Sequence, residues 1–145
     1  MPDIKRTAEA TWIGNLTGGR GMVSTESGTL SKVEYTFKTR FGDQRGTNLE
    51  ELLAAAHAGC FSMAFAHTLS EKGHEPERIT TKATCLLAET NNGFNIAKIH
   101  LEVRGKAGEI DEATFKEIAE EAHMSCPVSN LLRYGLTIEM NVSLE

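Results

Sequence analysis

Residues 33–41 alternate without a break. Val33, Tyr35, Phe37, Thr39 and Phe41 share one side, and Glu34, Thr36, Lys38 and Arg40 share the other. A period of two predicts a strand. Gly18, Gly19 and Gly28 mark turns before it, so the first third of the chain reads as β structure. The period then changes. Thr47-Asn48-Leu49-Glu50 fits a capping box, with Thr47 as N-cap and Glu50 at the third helical position. Gly73 is placed to stop this helix, which would run for about 25 residues, or ~37 Å. Its middle, residues 54–66, is apolar on nearly every side. A helix apolar all round must be covered all round. A single small domain rarely surrounds one of that length, so sheets from more than one chain are expected to wrap it in an intimate dimer.

Later strands are predicted around 79–88, with Ile79, Ala83, Cys85 and Leu87 on one side, and around 95–104, with Ala97, Ile99, Leu101 and Val103. Asn91-Asn92-Gly93 is placed to turn a hairpin between them. A helix is expected from Asp111, whose neighbours Ile110 and Phe115 are spaced for a hydrophobic staple. Phe115, Ile118, Ala119 and Ala122 would form its buried stripe. Pro127 favours the first position of a further short helix over 127–133, with Cys126 as its N-cap. The last alternation is the most regular. Leu136, Ile138, Met140, Val142 and Leu144 interleave with Thr137, Glu139, Asn141 and Ser143, predicting a final strand over 136–144. No repeat, low-complexity tract or linker divides the chain, so residues 1–145 read as a single α+β domain.

Composition narrows the function. The chain has 145 residues, 24% of them charged, and a net charge of −5. Such a chain without a basic cluster is a poor binder of nucleic acid or of an anionic membrane. The N-terminus lacks the apolar core of a signal peptide. The longest apolar stretch, Leu52 to Leu69, is interrupted by His57, Ser62, His67 and Thr68. A cytoplasmic protein that does not span a membrane is expected. Its three cysteines cannot all pair within one chain, and in a reducing compartment they read as free, metal-bound or redox-active.

Cys85 lies on an apolar strand face and reads as structural. Cys60 is mid-helix in the most apolar part of the chain, where cysteine ordinarily behaves as a small hydrophobe. Cys126 is at a helix N-terminus, whose amides and dipole stabilise a thiolate. Two chemistries follow. In one, Cys60 and Cys126 form a dithiol pair that passes through a sulfenic acid to a disulfide. In the other, the two H-x-x-C pairs, His57 with Cys60 and His123 with Cys126, supply four ligands to zinc, although the spacing is not that of a zinc finger. A redox-inactive ligand-binding module is a third reading. If Cys60 is reactive, burial requires a cation beside it. Arg40 and Arg20 are the candidates, and Glu50 has the right chemistry to orient an arginine through two hydrogen bonds.

The run Gly46 to Ala64, with Val23-Ser24-Thr25-Glu26-Ser27-Gly28, Thr39-Arg40-Phe41 and Cys126-Pro127-Val128-Ser129, resembles the OsmC/Ohr family, and more narrowly its osmotically inducible protein C branch. The resemblance implies an α+β homodimer in which antiparallel sheets wrap a long central helix. It implies a thiol peroxidase that reduces organic hydroperoxides, and hydrogen peroxide less well, with no metal, haem or flavin. Cys60 matches the peroxidatic cysteine, Cys126 the resolving cysteine and Glu50 the family glutamate. Arg40 matches the arginine of the narrower branch. Gly18-Gly19-Arg20 resembles the turn that supplies it in the other branch, so Arg20 stays an alternative. Leu49 stands where many members have proline. The partners implied are a hydroperoxide, an external dithiol of the lipoyl or thioredoxin type, and a second copy of the chain. Leu53, Ala56, Phe61 and Met63 are expected to line an apolar substrate site.

Overall fold

The computed structural model describes residues 2–145. In order, the elements are β1 (Ala8–Ile13), β2 (Arg20–Thr25), β3 (Val33–Tyr35), α1 (Phe37–Phe41), α2 (Leu49–Glu71), β4 (Pro76–Thr90), β5 (Gly93–Ala107), α3 (Glu112–Ser125) and α4 (Pro127–Tyr134). This is an α+β fold with antiparallel sheets and a long central helix. The residues group into two compact units, one of the described residues up to Leu53 with Leu86–Ile96, the other of Ala54–Cys85 with Ala97–Glu145.

In the first unit, β1, β2 and β3 form an antiparallel sheet in that order. Its register sets Gly21 opposite both Trp12 and Tyr35. The two rings approach to 5.7 Å between centroids across that glycine, and a Cβ on Gly21 would run into both. The strand expected over 33–41 ends at Tyr35, and residues 37–41 are helical. Local hydrogen bonds override the alternation. The Thr39 amide donates to Thr36 Oγ1 and the Thr36 amide donates to Thr39 Oγ1, which closes a capping box. The helical turn also brings Phe37 and Phe41 together at 4.9 Å, as an i,i+4 pair.

Helix α2 begins one residue later than its sequence signal. Asn48 Oδ1 accepts the Glu51 amide at 2.8 Å, whereas Thr47 Oγ1 donates to the Glu51 carboxylate. Asn48 therefore caps the helix in place of Thr47, which leaves Glu50 available for another partner. At the far end, Gly73 has φ +85°. The Gly73 amide donates to Ser70 O and the His74 amide to Leu69 O, a Schellman stop.

The second unit's core is built on one face of α2. Phe61, Phe65 and Leu69 pack with Ile118 and Ala122 of α3, against Ile79 of β4 and Leu101 and Val103 of β5. Asp111 caps α3 by accepting the Thr114 amide at 2.7 Å, and Ile110 and Phe115 both join the core, as the staple requires. By length and composition α2 reaches the scale of a membrane-crossing helix. The packing of Phe61, Phe65 and Leu69 marks it as a core helix. Its opposite side, including Ala55, Ala56, Gly59 and Met63, is exposed within the chain.

Strands β4 and β5 form the expected hairpin, turned by Gly93 at φ +95°. The final strand is not formed. Residues 135–145 have no regular structure, and the five alternating side chains from Leu136 to Leu144 are 66–100% exposed. Alternation makes a segment fit for a sheet, but a strand also needs a neighbour to accept its hydrogen bonds, and among the described residues the tail pairs with no strand.

Candidate active site

The sequence-predicted residues come together as two pairs, one in each unit. In the first, Arg40 on α1 meets Glu50 in the opening turn of α2. Arg40 Nε lies 3.0 and 3.2 Å from the two carboxylate oxygens, and Nη2 lies 2.7 Å from Oε1. Glu50 is only 7% exposed. A buried carboxylate needs such a partner, and the two-point geometry fixes the guanidinium plane. The same guanidinium lies 5.0 Å from the Phe41 ring centroid. Arg40 also forms part of the wall of a cavity of about 440 Å³, with Trp12, Tyr35, Phe37, Phe41 and Leu49. Arg20 is exposed at the start of β2, paired in register with Ile13.

The second pair is Cys60 and Cys126, with their Sγ atoms 3.5 Å apart. Both are unbonded thiols. Closing a disulfide from there needs a small side-chain movement, since an S–S bond is about 2.05 Å long. Their surroundings differ sharply. Burial pushes the Cys60 thiol up; the Val128 amide works against this, while the thiol's hydrogen bond with Cys126 and the charge there push the same way as burial. Burial opposes the Cys126 thiolate too, but hydrogen bonds from the Ser129 hydroxyl and amide, from Cys60 and from the Val128 amide outweigh it, and that thiol lies below its ordinary value. Cys126 is the N-cap of α4, with Pro127 at the first helical position.

The two H-x-x-C pairs also converge, but around a residue the sequence reading left aside. Ser129 Oγ is 2.8 Å from His57 Nε2 and 3.0 Å from His123 Nδ1. A serine hydroxyl stands where the zinc reading would place an ion, and among the described residues no three His, Cys, Asp or Glu side chains are disposed to hold a metal. The available signal was position. Ser129 is third in a helix whose N-cap is Cys126, the place from which side chain and amide both reach back to the cap.

The expected apolar lining does not assemble. Phe61 is 2% exposed and belongs to the core, whereas Met63, two residues on and so on the opposite side of the helix, is 77% exposed. Leu53 is half-buried and Ala56 exposed. A cavity lined by aromatic rings lies beside Arg40 instead.

Comparison with known proteins finds relatives over most of the chain. A family model described as OsmC-like protein matches residues 42–141. The chain is 43% identical over 136 residues to Peroxiredoxin OsmC of Escherichia coli, covering 94% of this chain and 95% of that protein. It is 29% identical over 127 residues to the organic hydroperoxide resistance protein OhrB of Bacillus subtilis, covering 86% and 91%. The crystal structure of OhrB superposes with a TM-score of 0.66 at 26% identity, covering 88% of this chain and 91% of that one.

Proposed function

The chain belongs to the OsmC-like protein family, and from that membership we infer that it is a peroxidase, an oxidoreductase that works through Cys60 and Cys126. The observation that carries the mechanism is the 3.5 Å approach of the two sulfurs. The Cys60 thiolate attacks the terminal oxygen of a hydroperoxide. The O–O bond breaks, an alcohol leaves once its alkoxide is protonated, and Cys60 becomes a sulfenic acid. The Cys126 thiolate displaces hydroxide from that sulfur, which leaves as water, and a disulfide remains. An external dithiol of the lipoyl or thioredoxin type restores both thiols.

Cys60 requires a positive neighbour, because burial alone holds its proton on. The match of Thr39-Arg40-Phe41 to the family pattern gives that role to Arg40 in this reading. Its guanidinium favours the thiolate and the alkoxide that develops as the O–O bond breaks, and Glu50 holds it in plane. The aromatic cavity beside Arg40 favours organic hydroperoxides over hydrogen peroxide, which has no apolar part to bury. The working form is a soluble, cytoplasmic homodimer. A second copy covers the exposed side of α2 at Ala56, Gly59 and Met63 and supplies the neighbour that the alternating tail lacks. Sedimentation of a monomer at micromolar concentration would overturn the dimer.

The chemistry is tested by counting thiols before and after one equivalent of cumene hydroperoxide, with peptide mapping. The expected result is the loss of two of the three thiols and recovery of a Cys60–Cys126 peptide. Three unchanged thiols would overturn the reading.

A further inference from the structure

The dithiol chemistry leaves two histidines unused, yet both are turned onto one buried hydroxyl. Ser129 is 3% exposed and His57 5%. Their proton positions follow from their partners. Arg133 Nη2 can only donate, so His123 Nε2, 3.0 Å from it, accepts. His123 then carries its proton on Nδ1, aimed at Ser129 Oγ. Burial holds His57 in its neutral form with a single proton. On Nε2 that proton meets Ser129. On Nδ1, which has no hydrogen-bond partner, it would be an orphaned buried donor, the costlier arrangement. Ser129 Oγ thus accepts twice, and its one proton is left for a third group. Cys126 lies three residues back at the N-cap of α4, so Ser129, third in that helix, is placed with its hydroxyl and amide on the side of the cap.

We propose that Ser129, fixed in this orientation by His57 and His123, makes Cys126 the leaving thiolate when the Cys60–Cys126 disulfide is reduced, so that the external dithiol attacks Sγ of Cys60. This rests on the dithiol reading above. A reductant thiolate bonds to Cys60 Sγ. The S–S bond breaks, and its electron pair passes to Cys126 Sγ, which the Ser129 hydroxyl hydrogen-bonds. The reductant's second thiolate attacks the reductant sulfur bonded to Cys60, closes the reductant's own disulfide and releases Cys60 as a thiolate. The dithiol loses two electrons and two protons, and the cysteine pair gains them. Exchange favours the path whose leaving thiol is the more acidic. Access points the same way, since Cys126 is 0% exposed and Cys60 is partly exposed. Ser129, His57 and His123 are positioning residues in this scheme.

The test makes the disulfide with diamide, so it does not depend on reaction with peroxide. A failure of peroxide chemistry then shows in the thiol count above and is distinguishable from a failure here. The oxidised full chain is mixed with limiting 2-mercaptoethanol, quenched in acid, alkylated and mapped. The expected adduct is on Cys60, with Cys126 released, in about a tenfold excess over the reverse. An even split, or an adduct mainly on Cys126, overturns the proposal. Ser129→Ala is expected to slow reduction about tenfold and erode the preference, and Ser129→Thr to restore both. In a Cys60→Ser background, Ser129→Ala should also move the appearance of Cys126 thiolate absorbance to higher pH, which a purely structural role would not do. Unchanged rate, site choice and titration in Ser129→Ala would overturn the assignment.

Discussion

Two thiols 3.5 Å apart differ in how tightly they hold a proton. Cys60 lies in the middle of α2, where every amide is already committed to the helix. Cys126 lies at the start of α4, where the first amides have no partner inside the helix. Burial opposes both thiolates, yet it raises one thiol and is outweighed at the other. Position along a helix, more than depth, sorts the two thiols. It gives the second step of the cycle a ready nucleophile and leaves the first step in need of help, which in the proposed scheme comes from Arg40.

The largest effects should come from deleting either sulfur. Cys60→Ser is expected to abolish hydroperoxide consumption, whereas Cys126→Ser should consume one equivalent and stop with Cys60 as a sulfenic acid, trapped by dimedone. Full activity in Cys60→Ser would break the comparison at its root. Next comes the cation. Arg40→Gln should lower the single-turnover rate by about 100-fold, the scale of one lost transition-state donor, and push Cys60 ionisation to still higher pH. Arg40→Lys should recover only part of the rate, because an ammonium cannot repeat the two-point contact with Glu50. An unaltered rate in Arg40→Gln would transfer the role to Arg20 or remove it.

A smaller effect separates the two steps by pH. A thiolate is lost as pH falls through its pKa. Cys60, the raised member, therefore loses reactivity first, and Cys126, the lowered member, keeps it further into acid. Stopped-flow traces should show sulfenic acid formation slowing on acidification before disulfide closure does. The reverse order would contradict the assignment. The smallest effect concerns the cavity. Gly21→Ala would displace the Tyr35 and Trp12 rings and should raise KM several-fold for cumene hydroperoxide while leaving hydrogen peroxide nearly unaffected. Equal changes for both would detach the cavity from substrate choice.

Much of the framework is written locally. Asp111 caps α3, Pro127 opens α4, Gly73 ends α2 and Gly93 turns the hairpin, each through contacts within a few residues. The misreadings are instructive for the same reason. At 33–41 a strand-like alternation lost to the reciprocal hydrogen bonds of Thr36 and Thr39, which act over three residues. At 47–50 two capping signals overlapped, and Asn48, whose Oδ1 accepts the Glu51 amide, took the role. At 136–144 the alternation is real, but the strand it describes has no neighbour within the chain.

From residue types and spacing came the α+β plan, the long apolar helix and two candidate cysteines, while the family motifs marked Cys60 as peroxidatic and Arg40 and Glu50 as its charged pair. These depend on periodicity, caps and motifs, which are properties of neighbours along the chain. Only the folded chain chose Arg40 over Arg20 as the partner of Glu50, brought Cys60 within 3.5 Å of Cys126, and gathered His57 and His123 on Ser129. Those contacts join positions 10, 66 and 72 residues apart, and no local pattern encodes them. They follow from which helix faces the core covers, whereas the acid strengths of the two thiols follow from their places along α2 and α4.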